Sequence, residues 1–545
     1  MTRLSRATAL AGAALIALGS VQPAFAAPRG GFSVSGKPGP FIKQIEGRSL
    51  GGTGGGGAAM GLASDAINQG QYQAARLRMP QTEAKIAELL SRIEANWPYD
   101  KSAPVQVHIL GVDNYNAYAL PDGSIIVGFG LLDMAQSDDE VAFILAHELG
   151  HIRLNHFAKA APKPASGGGL SKAATVLAVG AAVGAASGGF GGMDAASLDA
   201  ARRATAANDL LNFMNNTMVS PDHSREMEDE ADALGFDLAN LAPYSAETAS
   251  ARVFDTIQAD EERRAKLSEA LNDQLKKELG AAVKDGRAAS LVMTGMSGGS
   301  VRGGLLQGAA RIGLGVAAQR SADGPKHRKP EERKAGIADY SVTAYPEGLP
   351  LRDEQKAWLD DLRSSAEYRE AKIAVAAVKQ AMINRAAGDF TGAEVELTKV
   401  NATQFRTAPL VINEMARVRG DMGDPARSNE LFNQAHQSPD QTVDGYVDHV
   451  RMLYQAGKAD DAVGVVDLGA ARFNGDEKPF LSLLIAIYKS NKMEAEASEY
   501  LQKCAAHGDP GLKKDCEVAY GGPADGGGRG GGGLPGLGIG SLLGR

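Results

Sequence analysis

The stretch Val141-Ala142-Phe143-Ile144-Leu145-Ala146-His147-Glu148-Leu149-Gly150-His151 joins an apolar run to two histidines four residues apart. Positions four apart share one face of a helix, so both imidazoles point the same way and can hold one zinc ion. Glu148, next to the first, is placed to take a proton from a water held there. The pentad by itself also arises by chance, and buried histidines often do no more than satisfy hydrogen bonds. A third ligand has to decide.

The metzincin pattern places a glycine three residues and a histidine six residues after the second histidine, where this chain has Leu154 and Phe157, so that pattern is excluded. Far downstream, Ser224-Arg225-Glu226-Met227-Glu228-Asp229-Glu230-Ala231-Asp232 opens a second helical pattern continued by Leu234, Leu238 and Leu241. Glu228 followed by Ala231-Asp232 supplies a carboxylate to close a two-His, one-Glu site. One turn on, Asp232 is able to orient a ligand imidazole. The plainer reading is a solvated acidic face.

The run from Asn116 to His156, NAYALPDGSIIVGFGLLDMAQSDDEVAFILAHELGHIRLNH, together with SREMEDEADALG, resembles the HtpX-type and BepA-like zinc metallopeptidases. The resemblance covers roughly residues 65–340, with interruptions. It implies a mainly α domain with a small β-sheet, an α+β gluzincin metallopeptidase. It also implies one Zn2+ per chain on His147, His151 and Glu228, with Glu148 as the catalytic base and Asp232 behind a ligand. In proteins of this kind a strand bordering the cleft pairs with extended substrate. Ser124, Ile125, Ile126, Val127 and Gly128 are the expected strand, with an ordinary core strand as the alternative. The segment Gly324 to Arg333 looks like the family's His-Pro segment before an Arg-containing helix, although Arg328 replaces the proline. By that resemblance His327 is the candidate latch or fourth ligand, and a solvated histidine in a basic loop is the alternative.

The chain begins with Arg3 and Arg6, an apolar core from Ala7 to Leu18 and Ala24-Phe25-Ala26, the layout of a secretory signal peptide over residues 1–26. The expected location is the periplasm. Residues 27–61 form a Gly/Pro-rich leader, and 62–345 are expected to be the metallopeptidase domain. Within it, a short helix is expected to end near Met79, with Pro80 as its breaker and a second helix from Gln81. Val105, Val107 and Ile109 alternate like a strand, and Asn116 to Leu120 with Ser124 to Gly128 read as a hairpin about Pro121-Asp122-Gly123. The apolar stretch 173–186 is too short to cross a bilayer easily, where about 20 residues are needed. A lid, a surface touching membrane or client, and a packed helical hairpin all remain open for it, and the apolar stretch 291–318 has no assigned role. A net charge of −8 offers no field for nucleic acid.

Residues 346–520 are expected to form an all-α solenoid. Ala393, Ser428, Ala462 and Ala497 fall 34 or 35 residues apart, as do Leu397, Phe432, Val466 and Leu501. Gly388, Gly423 and Gly457 mark the turns, and Lys492 stands at the fourth such position. This period resembles tetratricopeptide repeats, whose stacked helix pairs present a concave surface to protein partners. A purely structural clamp on the protease is the alternative. Cys504 and Cys516 are expected to pair as a disulfide in an oxidising compartment. Residues 521–545 form a Gly-rich tail expected to be disordered.

Together these readings predict an exported zinc endopeptidase whose repeats recruit unfolded or misfolded envelope proteins, in the manner of BepA-like proteases acting in outer-membrane assembly. Contact with the assembly machinery or the membrane surface is part of that expectation. The competing class is a periplasmic chaperone or scaffold with a latched, rarely active site. A membrane-embedded HtpX-type protease is disfavoured by the shortness of the apolar stretches.

Overall fold

The computed structural model of the chain describes residues 39–46, 75–99, 105–120, 122–159, 223–284, 328–473 and 475–521, with Val34 and a few positions between 202 and 213. The signal peptide, most of the leader, the apolar stretches 173–186 and 291–318, His327 and the Gly-rich tail beyond Gly521 lie outside them. In chain order come α1 (Phe41–Gln44), α2 (Pro80–Glu94), β1 (Val107–Leu110), β2 (Ala117–Ala119), β3 (Ile125–Gly128), α3 (Phe129–Met134), α4 (Asp138–Arg153) and α5 (His156–Lys159). Then follow α6 (Arg225–Leu241), α7 (Ala246–Lys284), α8 (Pro330–Ala344) and α9 (Ala357–Ser364). The fold is mainly helical around one small sheet, as the sequence pattern requires.

The sheet corrects two expectations. Its order is β1-β3-β2, with β3 parallel to β1 and antiparallel to β2. Ile125 to Gly128 therefore form the middle strand, hydrogen-bonded along both edges, and Ser124 sits in the tight turn that feeds it. That strand cannot pair with a peptide; it is the core strand of the alternative reading. The expected short helix before Pro80 is also absent among the described residues. Ala75 to Leu77 run extended along β1, with the Leu77 N–H donating to the Ile109 carbonyl at 2.8 Å and the Gly111 N–H to that of Ala75 at 3.1 Å. Pro80 begins α2 instead of breaking a helix, since a first-turn residue needs no N–H donor. Among the described residues β2 is the other edge strand of the sheet, and it is buried.

Helix α4 is buried on every side, which explains its unbroken apolar run. Ser137 caps it by accepting the Glu140 N–H. The acids that follow are tertiary clips. Asp138 accepts the N–H groups of Trp358 and Leu359 at 3.0 and 2.8 Å, capping α9, while Asp139 accepts those of Ser245 and Gln355, both at 2.8 Å. Arg363 of α9 in turn donates to the Leu132 and Ala135 carbonyls at the end of α3, and Arg352 to the Asn240, Ala242 and Tyr244 carbonyls at and just beyond the end of α6. These groups belong to 346–364, the first part of the expected repeat region. The hydrophobic core likewise continues from Val34 to Val418, so residue 345 is no boundary in packing.

Beyond α9 the chain builds antiparallel helix pairs: α10 (Ala366–Ala386) with α11 (Phe390–Thr398), α12 (Pro409–Asp421) with α13 (Pro425–Ala435), α14 (Val443–Gln455) with α15 (Ala459–Arg472), and α16 (Leu481–Ser490) with α17 (Glu494–Ala506), followed by α18 (Pro510–Tyr520). Ala393, Ser428, Ala462 and Ala497 are all fully buried at 0% exposure, which is why small residues recur there. Gly388, Gly423 and Gly457 take positive φ (83°, 82° and 75°), and Lys492 takes the same left-handed conformation at 60°. Cys504 and Cys516 are joined, tying α17 to α18 across a Cα–Cα distance of 6.5 Å. Among the described residues no helix is long and apolar enough to cross a membrane.

Candidate metal centre

Helices α4 and α6 pack against each other at unusually close range. A Cβ on Gly235 would lie 2.9 Å from the His147 nitrogen and 3.0 Å from its Cα, so only glycine admits this approach. On the α4 side Gly150 faces Ala231. Small residues at the crossing bring Glu228, two turns before Gly235, up to the two histidines.

His147, His151 and Glu228 are buried and converge. The two Nε2 atoms lie 3.1 Å apart, Glu228 Oε2 is 3.8 Å from His147 Nε2, and Glu228 Oε1 is 3.7 Å from His151 Nε2. A tetrahedral ion with bonds of about 2.0–2.2 Å separates its ligand atoms by roughly 3.3–3.6 Å. The donor set and its spacing fit zinc.

Each imidazole is held from behind. Asp232 Oδ1 lies 2.9 Å from His147 Nδ1, fixing the proton there and turning the Nε2 lone pair inward. Arg333 of α8 forks onto Asp232, with Nε 2.8 Å from Oδ2 and Nη2 2.5 Å from Oδ1. Burial by itself would raise the Asp232 carboxyl, but Arg333 and His147 together hold it below the usual carboxylate range. Burial beside three other imidazoles pushes His151 well below its ordinary value, which keeps it neutral. Glu148 Oε2 accepts the Ala119 N–H from β2 at 2.7 Å. Burial raises its carboxyl to about 7 despite His147 and that hydrogen bond, a poise suited to accepting and returning a proton near neutrality.

Residues 77–284 match the model of peptidase family M48. The chain carries a peptidase M48 domain. Metalloprotease LoiP of Escherichia coli (strain K12) is 29% identical over 135 residues, 25% of this chain and 44% of that protein. The mitochondrial metalloendopeptidase OMA1 of Schizosaccharomyces pombe is 31% identical over 144 residues, 26% of this chain and 35% of its own. A putative beta-barrel assembly-enhancing protease of Vibrio cholerae is 30% identical over 166 residues, 30% of this chain and 31% of that one. In each case the match spans less than half of the relative's length. The M48 match begins in the strand-like segment before α2 and ends with α7, so it encloses the ligand helices and the sheet but not Arg333, which α8 brings back to them.

Several side chains here were not singled out from the sequence. His156, His223 and Glu230 line the outer side of His151, and Arg333 stands behind His147. The one available signal was Asn155, a residue type tolerant of left-handed backbone, placed between the end of α4 and another histidine. Of the expected site residues, His147, Glu148, His151, Glu228 and Asp232 come together; the strand Ser124 to Gly128 lies inside the sheet, and His327 falls outside the described residues. Its neighbour Arg328, standing where the expected proline would be, is bidentate to Asp229 at 2.8 and 2.9 Å.

Proposed function

We propose that this chain is an exported zinc endopeptidase acting on unfolded or misfolded envelope proteins. The observation that carries the reading is the convergence of His147, His151 and Glu228 with Glu148 beside them. A bound zinc ion would supply Lewis acidity to the scissile carbonyl and to the attacking water. Glu148 takes the water's proton and delivers it to the leaving amine, the two-way task for which its raised carboxyl is suited. Asp232, as the acceptor beside His147 Nδ1, leaves Nε2 of that ring as the ligand atom, and burial disfavours charge on His151.

Substrate selection falls to β2. The Leu120 N–H donates to the Ser124 carbonyl and the Gly128 N–H to that of Asn116, so Asn116, Tyr118 and Leu120 face β3. Ala117 and Ala119 then direct their main-chain groups away from β3, toward the side of Glu148, whose carboxylate accepts the Ala119 N–H. An extended peptide pairing there presents its backbone to the centre with little demand on its sequence, which suits unfolded clients. The signal-peptide layout and the relatives named metalloprotease LoiP and beta-barrel assembly-enhancing protease support an envelope setting. The helix pairs from α10 onward, with buried small residues at a 34- or 35-residue period, support tetratricopeptide repeats as the client-recruiting part.

The test is cleavage of an unfolded outer-membrane protein by the mature chain, with zinc content measured alongside. Glu148→Gln should keep zinc and lose cleavage, whereas His147→Ala, His151→Ala and Glu228→Ala should lose both. Zinc bound with no cleavage by the wild type or by His327→Ala would transfer the weight to a periplasmic chaperone or scaffold.

A further inference from the structure

Helix α4 ends at Arg153, and Asn155, with φ of 52°, reverses the chain so that His156 folds back under His151. His156 is wholly buried, and its Nδ1 lies 2.9 Å from His151 Nδ1. On its far side, His156 Nε2 is 3.3 Å from Glu230 Oε2, one residue before the ExxAD alanine on α6. His223 stacks flat on His151, with centroids 4.0 Å apart and planes 19° from parallel.

Two facing Nδ1 atoms share one proton, and the question is which ring owns it. If His156 donated, its Nε2 would carry a lone pair facing the Glu230 carboxylate, and the proton of His151 would sit on Nε2, pointing at His147. If His151 donates, His156 carries its own proton on Nε2 and passes it toward Glu230, and His151 Nε2 is left with its lone pair toward Glu228 and His147. The first arrangement sets two acceptors against each other between His156 and Glu230 and puts a proton on the ligand nitrogen of His151; the second avoids both. We infer that His156 and Glu230 form a positioning relay that fixes the Nδ1–H tautomer of His151, as Asp232 and Arg333 do for His147, with His223 clamping the ring plane. The inference rests on the metal-centre reading and deepens it. The two ligand histidines are thus held by unlike devices, an acid paired with arginine on one side and an imidazole anchored to a carboxylate on the other.

His151, His156 and His223 also satisfy the spacing of a second metal group. Each nitrogen lone pair lies in its own ring plane, and two nearly parallel planes stacked with centroids 4.0 Å apart do not meet at a point within bonding distance of both rings, so His151 and His223 do not converge on a common ion. The hydrogen-bonded relay accounts for the geometry and a second ion does not.

The experiment measures zinc affinity by chelator competition and zinc stoichiometry on the full mature chain, together with the nitrogen-15 imidazole spectrum of the zinc-bound protein. His156→Leu should weaken zinc about 10–100-fold, the range found for residues that orient metal-bound histidines. His156→Asn, whose side-chain oxygen can replace Nδ1 as acceptor, should recover most of that loss, and Glu230→Leu should fall between. The wild-type spectrum should show His151 protonated at Nδ1. Retained zinc affinity in His156→Leu, no recovery in His156→Asn, or two zinc ions per wild-type chain would overturn the relay. Loss of zinc in His147→Ala and Glu228→Ala alongside any of these leaves the metal centre standing; retention in all of them would sink both.

Discussion

Replacing Gly235 with alanine tests the packing that assembles the site. The new Cβ would stand 2.9 and 3.0 Å from the His147 nitrogen and Cα, and 3.3 Å from the Ala146 carbonyl carbon. Comfortable carbon contacts begin near 3.5–4.0 Å, so the two helices must part by roughly 0.5–1 Å. Neither obstacle is the end of a flexible side chain; both are backbone. Glu228 rides on the displaced helix, and its present distances of 3.8 and 3.7 Å to the ligand nitrogens already slightly exceed the separation expected around one tetrahedral ion. Overpacking of this kind costs about 1–3 kcal/mol, against which alanine recovers about 1 kcal/mol of helix propensity. The expected result is a net loss of up to about 2 kcal/mol in urea unfolding of the metal-free protein. Zinc affinity should fall at least about tenfold because the ligand triangle is wider. Gly464, inside α15 with nothing within 4 Å of a built Cβ, provides the control. Gly464→Ala should stabilise by about 1 kcal/mol and leave zinc affinity untouched. Gly235→Ala behaving like Gly464→Ala, more stable and equally tight for zinc, would refute the close-approach argument.

Lys492→Gly should raise stability by about 1 kcal/mol, because Lys492 holds the left-handed φ of 60° that three glycines occupy in the earlier repeats; urea unfolding that shows no gain would remove strain from that turn. Asp237 is buried and accepts the Tyr340 and Tyr345 hydroxyls at 2.7 and 2.8 Å and the Ile42 N–H at 2.8 Å. Burial pushes its carboxyl from 3.8 up to about 6 against those donors. A folded-state value above the unfolded one contributes stability that is full below pH 3.8 and lost as pH rises through about 6. Asp237→Asn turns an N–H group toward Ile42 and should cost about 1–3 kcal/mol at low pH. That gap should narrow as pH rises through the same window, and a gap that widens would reverse the assigned sign.

Much of the centre was legible because helical periodicity is local. Four-residue spacing places His147 and His151 together wherever the helix packs, and ExxAD places Glu228 and Asp232 one turn apart on theirs. The repeat was legible for the same reason, since each turn and each buried small residue returns after a constant interval, down to the lysine that adopts the glycine's conformation. Signals that depend on long-range pairing were not. The residues around Ser124 to Gly128 read as a strand bordering the cleft, with a core strand as the alternative, and only pairing with β1 on one side and β2 on the other decided that they lie in the middle of the sheet. Nor did local spacing reveal that Asp138, at the start of α4, accepts N–H groups from a segment more than two hundred residues away.

The sequence by itself thus determined the two ligand helices, the chemistry of the residues on them and the repeating helix pairs. Only the tertiary structure decided which face of each helix meets the other, that Arg333 and His156 stand behind the ligand imidazoles, and that 346–364 straps the two halves into one core. The physical reason is that spacing along a helix is set by covalent geometry and local hydrogen bonds, whereas the meeting of two helices is set by how closely their backbones can approach, and at this site that distance is controlled by the missing Cβ of Gly235.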